Sequence, residues 1–209
     1  PQVNAFDNLS VWETISAQTD VVRSARVGAS ERPLVVGPIT LRMGWNPNAT
    51  SAPPDPGPDV LPASVDARQL SLFAAAWTVG SLKRMIDEGV DAVTYYELQG
   101  WKGLVEAREH LTRRELFPSD PGQLFPVYPV FRALAPFIGG EGVWLTAPNP
   151  CEAEALAVAK DGKVRVLVAN LTEFEQTIAL EGLGLADTTL SVLDETTYEA
   201  ASVDPDFVT

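Results

Sequence analysis

The sequence predicts an α/β region followed by an all-β region. About three β/α units from the C-terminal part of a TIM-type barrel are expected over residues 1–141, then a small antiparallel β-sandwich over residues 142–209. Four observations carry this. Strand-like and helix-like segments alternate through the first 140 residues, which implies parallel strands joined by right-handed crossovers. The strand-like segments end in polar and aromatic residues, QVNAFD and TYYELQGW, as barrel strands do at their C-terminal face. The first β/α turn, FDNLS, lacks the glycine loop of a doubly wound sheet. Beyond residue 142 helical periodicity disappears and short strand-like runs replace it.

Residues 2–7 read as a short strand. Residues 10–28 read as a helix: Ser10 and Glu13 form a capping-box pair, Val11, Ile15, Val22 and Ala25 recur at helical spacing, and Gly28 is placed to stop it. LVVGPITL, residues 34–41, is an apolar run of the kind covered on both faces of a parallel sheet, with Gly37-Pro38 predicting a bulge or bend. A long insertion follows at residues 43–65, with six prolines from Pro47 to Pro62. A second helix is predicted from Asp66 to about Glu88, with Asp66 and Gln69 as caps and Leu70, Phe73, Trp77 and Met85 near one face. DAVTYYE, residues 91–97, reads as the third strand, residues 98–125 as mostly irregular, and Pro126 to Ile138 as a short helix.

In the last region ALAVAKDGKVRVLVANLT reads as two strands joined at Asp161-Gly162, and QTIALEGL and TLSVLDET as two more. Three units cannot close an eight-stranded barrel, and a sandwich straight after a β/α unit marks that unit as the last. The strands are therefore numbered sixth, seventh and eighth. The chain begins at Pro1 rather than Met and reads as a fragment of a longer protein.

Charge narrows the partners. The net charge is −13, from 15 basic and 28 acidic residues, and the scattered Lys and Arg argue against nucleic acid. No apolar run reaches the roughly 18 residues a membrane helix needs. Cys151 and His110 are the only cysteine and histidine, so no intrachain disulfide forms and a Cys/His zinc site is excluded. No metal or cofactor is expected. A Ser-His-Asp or Cys-His arrangement would need His110, which sits in a polar stretch and reads as solvated. A cytoplasmic location is expected; secretion stays open because a leader could precede Pro1.

Glu97 is the candidate catalytic residue; the plainer alternative is a strand-end glutamate paired with an arginine or capping the next segment. It ends an apolar strand beside Tyr95, Tyr96 and Trp101, and aromatics around a carboxylate suit a sugar-processing site, where apolar walls favour acid–base work. Candidates for substrate binding are Asn4, Asp7, Arg42, Tyr95, Tyr96 and Trp101. Asp7 could equally cap the first helix. Arg42 could grip a substrate carboxylate or neutralise Glu97 or a neighbouring acid. Trp45, Asn46 and Asn48 make the proline-rich insertion a lid candidate, with disordered surface the equal alternative. Asn170-Leu171-Thr172 matches the glycosylation sequon, but its place at a strand end favours a structural turn.

Taken together, QVNAFDN, VVGPITLR followed by WNPNAT, SLFAAAWTVGSLKRMIDEGVDAVTYYELQGWKG and LFPVYPVFRAL resemble the C-terminal half of the D-apionate lactonase family. That family is in turn similar to clan-A glycoside hydrolases, and VRVLVANLTEFEQTIAL resembles the sandwich domains that trail many glycosidase barrels. The resemblance implies a barrel with flanking β-domains and hydrolysis of a sugar-acid lactone. One departure bears on mechanism. Retaining clan-A enzymes place a nucleophilic glutamate at the end of the seventh strand, where LVVGPITLR offers Thr40 and Arg42 and no carboxylate. Glycosidases usually need two carboxylates astride the bond. The lactonase reading is therefore preferred, although a shift of one strand would reverse it. The alternatives are a β-galactosidase-like glycosidase and a non-catalytic carbohydrate-binding or scaffold module. The partners expected are a sugar or sugar-acid small molecule and either a second copy or the missing N-terminal half. The fragment alone is expected to be inactive.

Overall fold

The computed structural model of the protein describes residues 7–43, 50–51, 56–109, 114–182 and 187–208. Asn4, Trp45, Asn46, Asn48 and His110 lie outside the described residues, as does the predicted first strand apart from Asp7.

The first predicted helix is two: α1 (Asn8–Glu13) and α2 (Ser16–Ala29). The N-cap is Asp7, whose carboxylate accepts from the Ser10 amide at 3.0 Å and the Ser10 hydroxyl at 2.7 Å, so Ser10 is the capped residue and not the cap. The break follows from local competition for carbonyls: the Thr14 and Ser16 hydroxyls donate to the Val11 and Glu13 carbonyls at 2.8 and 2.9 Å. Helix α2 runs through Gly28 and stops at Ser30, which takes φ 54°.

β1 (Val35–Ile39) and β2 (Ala92–Tyr95) pair in parallel, Val35 opposite Ala92 and Ile39 opposite Tyr95. The irregularity expected at Gly37-Pro38 is present as a register shift between Val36 and Ile39. Gly37 sits at φ +150°, and a Cβ there would lie 2.0 Å from Thr94 Oγ1 and 2.9 Å from the Thr94 carbonyl oxygen. The backbone contact cannot swing aside. Gly37→Ala is expected to destabilise the chain by roughly 2 kcal/mol, read as a lowered midpoint in urea; an unchanged midpoint would show that the two strands separate freely.

The predicted helix from Asp66 to Glu88 is interrupted. A 3-10 turn at Ala67–Leu70 precedes α3 (Leu72–Asp87), because Ser71 is extended and its hydroxyl takes the Arg68 carbonyl at 2.7 Å. The predicted strand 91–97 also divides. Tyr96 has φ 54°, turning the chain so that Glu97 opens a separate strand, β3 (Glu97–Gln99), paired in parallel with β4 (Gly103–Val105). Helix α4 (Val127–Leu134) continues into a 3-10 turn at Ala135–Phe137.

Three antiparallel strands follow, β5 (Glu141–Val143), β6 (Ala153–Lys160) and β7 (Lys163–Asn170). Asp161 and Gly162 both take positive φ, 50° and 73°, the hairpin turn expected of that pair. Neither QTIALEGL nor TLSVLDET forms a strand among the described residues, so a single sheet stands where two were expected. The chain is diverted at the end of β7. Asn170 Oδ1 accepts from the Thr172 amide and hydroxyl at 3.0 and 2.9 Å, and its Nδ2 donates to the Phe174 carbonyl at 2.7 Å. The following segment therefore leaves the sheet without a ladder partner, despite strand-like side chains. A short helix, α5 (Tyr198–Ala201), closes the described chain.

Helix α3 organises the core. One side meets Trp12, Ile15, Phe125 and Val127; the other packs Ala75, Val79 and Leu82 against Leu156, Val158 and Ala169 of the antiparallel sheet. The β/α region and the sheet thus share buried surface. Hydrogen bonds tie the β/α region to the sheet and the segments flanking it: Trp12 Nε1 to the Pro150 carbonyl at 3.1 Å, Arg84 to buried Glu154 at 2.7 Å, and the Tyr198 hydroxyl to the Leu70 carbonyl at 3.1 Å.

Candidate functional site at the strand ends

The C-terminal ends of β1 and β2 are held together by the Tyr96 amide donating to the Ile39 carbonyl at 2.9 Å. Arg42 leaves one of these ends and Glu97 the other. Leu41, between Ile39 and Arg42, is buried and anchors the turn, and the Thr40 hydroxyl donates to the Arg42 carbonyl.

Arg42 Nε lies 3.3 Å from Asp66 Oδ2, so of the acids it could meet it takes Asp66 and not Glu97. Asp66 also receives a two-pronged grip from Arg68, Nε to Oδ1 at 2.9 Å and Nη2 to Oδ2 at 2.7 Å, besides the Arg68 amide at 3.0 Å. Arg68 reaches on to Asn8 Oδ1 at 3.2 Å and covers the Phe73 ring. Burial pushes the Asp66 carboxyl up, but the hydrogen bonds and charge of Arg68, with the charge of Arg42, outweigh it and hold the group below the ordinary carboxylate range. A depressed carboxyl stabilises the fold fully above its ordinary value and loses that contribution as pH falls through the lower folded value. Asp66→Asn is therefore expected to lower Tm by a constant amount above about pH 5, with the gap to the wild type closing below about pH 4. A thermal melt series checks this; a gap that persists unchanged into strong acid would contradict it.

Glu97 is exposed and pairs with Lys102, Nζ to Oε1 at 2.6 Å. Tyr95 and Tyr96 turn away from it, into α3. The Tyr95 hydroxyl is 2.7 Å from Ser81 Oγ and the Tyr96 hydroxyl 2.8 Å from Thr78 Oγ1, and burial raises both phenols above their ordinary pKa. Trp101 stacks on Phe117, with ring centroids 5.8 Å apart. Asp7 serves as the α1 cap, and the hydrogen bonds from Ser10 hold its carboxyl low. The structure thus brings Arg42 and Glu97 to neighbouring strand ends, and turns the two tyrosines to the helix side.

Sequence reasoning allowed Arg42 a neighbouring acid but did not identify it as Asp66, read only as a cap, nor find Arg68 as the second cation on Asp66. Their signal is the Asp-x-Arg spacing directly after the insertion. It also missed Glu106, buried at 1% exposure just beyond β4. Among the described residues no group of three or more His, Cys, Asp or Glu is arranged to hold a metal ion, and no helix is long and apolar enough to cross a membrane.

Arg42, just beyond β1, is of a type that polarises a carbonyl, and Glu97, just beyond β2, of a type that activates water; the first is paired with Asp66 and the second with Lys102. Two family models match the chain and define its class: a TIM-barrel domain over residues 1–139 and a C-terminal immunoglobulin-like domain over residues 150–208. Both describe D-apionate lactonase, and the chain belongs to that family. A curated relative, the D-apionate lactonase of Brucella anthropi, is 26% identical over 181 residues, which is 86% of this chain and 28% of that protein. The chain therefore spans under a third of the relative's length. No solved structure matches it.

Proposed function

We propose that the chain carries part of a lactone-hydrolysing site, at the C-terminal ends of β1 and β2, and that the protein it belongs to opens a sugar-acid lactone such as that of D-apionate. The observation that carries this is the family match over both regions, together with Arg42 and Glu97 on adjacent strand ends. In this reading Glu97 takes a proton from water as the water oxygen attacks the lactone carbonyl carbon. The Arg42 guanidinium, steadied by Asp66, faces the negative charge that develops on the carbonyl oxygen. The ring C–O bond then breaks, the ring oxygen takes the proton back from Glu97, and a hydroxy acid is released. Lactone and water are consumed and nothing else is needed.

The reading includes further barrel strands. β1 and β2 form a two-stranded sheet among the described residues, and Val35 on β1 is 66% exposed. An apolar residue at that position suits an inner barrel face covered by more strands. We place those strands in the longer parent protein, whose remaining residues would complete the site.

The test is acid release from D-apionate lactone by the whole protein, followed in a pH-stat beside an aryl β-galactoside. Hydrolysis of the lactone without cleavage of the glycoside is expected. The reverse would replace this reading with a glycosidase, and activity on neither would leave a binding module.

A further inference from the structure

Three carboxylates are buried in the described chain: Asp66, Glu106 and Glu154. Asp66 is paired with Arg68 and Arg42, and Glu154 with Arg84. Glu106 has no cation partner among the described residues. Its Oε1 accepts from the Ala107 amide at 2.7 Å and its Oε2 from the Ser119 hydroxyl. A buried carboxylate without a cation is costly, and such groups gather at functional sites.

What Glu106 does locally is visible. It ties the start of the segment after β4 to Ser119, thirteen residues on, while its own amide donates to the Gln123 carbonyl at 2.8 Å. Arg108 and Glu109 of that segment line an open cavity of about 460 Å³ together with Leu98, Gln99, Val105 and Glu106. This is within the usual size range of small-molecule sites. The Gln99, Arg108 and Glu109 side chains make no hydrogen bond or ion pair with other described residues. Leu98 and Val105 give the cavity an apolar wall. The cavity adjoins the proposed reaction centre, because Glu97 and Gln99 occupy one face of β3 and pair in register with Gly103 and Val105.

We propose that this cavity is the hydroxyl-recognition subsite for the sugar lactone, in which Gln99 and Arg108 hydrogen-bond the ring hydroxyls and Glu106 is a positioning residue for the segment bearing Arg108. The proposal rests on the lactonase reading. A polyhydroxylated ring fits because it both donates and accepts hydrogen bonds on its edge and presents C–H groups to Leu98 and Val105. An anion fits less well beside Glu106 and Glu109.

Gln99 and Arg108 are exposed, so Gln99→Ala and Arg108→Met leave the fold intact, which a thermal melt verifies. Each is expected to raise KM for D-apionate lactone about tenfold, the effect of one hydrogen bond, with kcat changed less than about threefold. The loss is expected to be several-fold smaller on γ-butyrolactone, which has no ring hydroxyl. Glu106→Gln is expected to give the same split. An unchanged KM for the sugar lactone, or equal losses on both lactones, would overturn the subsite while leaving the lactonase reading in place. If the whole protein opens no lactone, the reading of function falls and the subsite is judged by NMR titration with D-apionate. Shifts at the Gln99 amide and Arg108 Nε would keep it, and none would end it.

Discussion

Glu97→Gln is expected to lower kcat for lactone hydrolysis by about 10²- to 10⁴-fold, the usual contribution of a positioned general base, with KM nearly unchanged. The substitution keeps size and hydrogen-bonding shape and removes only the ability to take a proton. The fold is expected to stay intact. Glu97 is exposed and its partner Lys102 is half-buried, and ion pairs open to solvent on one side contribute about 0–1 kcal/mol. Turnover assays on the variant, beside its circular dichroism, read the two effects separately. Full activity in Glu97→Gln would move the proton transfer to another carboxylate.

The largest effect on stability is expected at Trp77. It is fully buried on α3 within the cluster that holds Trp12, Phe117 and Phe125. Truncation to alanine is expected to destabilise the chain by about 3–5 kcal/mol, through lost burial and the cavity left behind. Its indole N–H has no hydrogen-bond partner among the described residues. Trp77→Phe removes that unsatisfied donor while keeping most of the ring, and leaving a buried donor unpaired costs about 1–3 kcal/mol. The phenylalanine variant is therefore expected to lie much nearer the wild type than the alanine variant. Urea midpoints for the pair check this; equal losses would mean that the indole nitrogen is satisfied in solution.

How far the sequence reveals the molecule depends on what forms each feature. The Asp161-Gly162 hairpin was legible because two adjacent residues must take positive φ, which those residue types tolerate. The irregularity at Gly37-Pro38 was legible for a similar local reason. Helix interruptions at Thr14 and Ser71 were not, since hydroxyl-to-carbonyl bonds decide them and the apolar spacing runs straight through. The missing strands after β7 were not legible either. QTIALEGL has a strand's side chains, but a strand needs a neighbour, and the Asn170–Thr172 turn takes the chain away from one.

The site divides the same way. Arg42 and Glu97 were chosen because polar residues at strand ends are where barrel folds carry chemistry, and the structure sets them just beyond β1 and β2. The turn of Tyr95 and Tyr96 towards α3 was hidden, because period-two alternation breaks at Tyr96, whose φ of 54° no pattern announces. Asp66 and Glu106 were hidden because burial of a carboxylate is a tertiary property. Asp66 is remote in sequence from Arg42, and Ser119 from Glu106.

Where the ligand sits decides both the reaction centre and the subsite. A crystal structure of the whole protein with D-apionate bound tests that directly. The product carboxylate is expected beside Arg42, with one of its oxygens within reach of Glu97 and the hydroxyl groups towards Gln99 and Arg108. Product bound elsewhere, with Arg42 and Glu97 untouched, would contradict it.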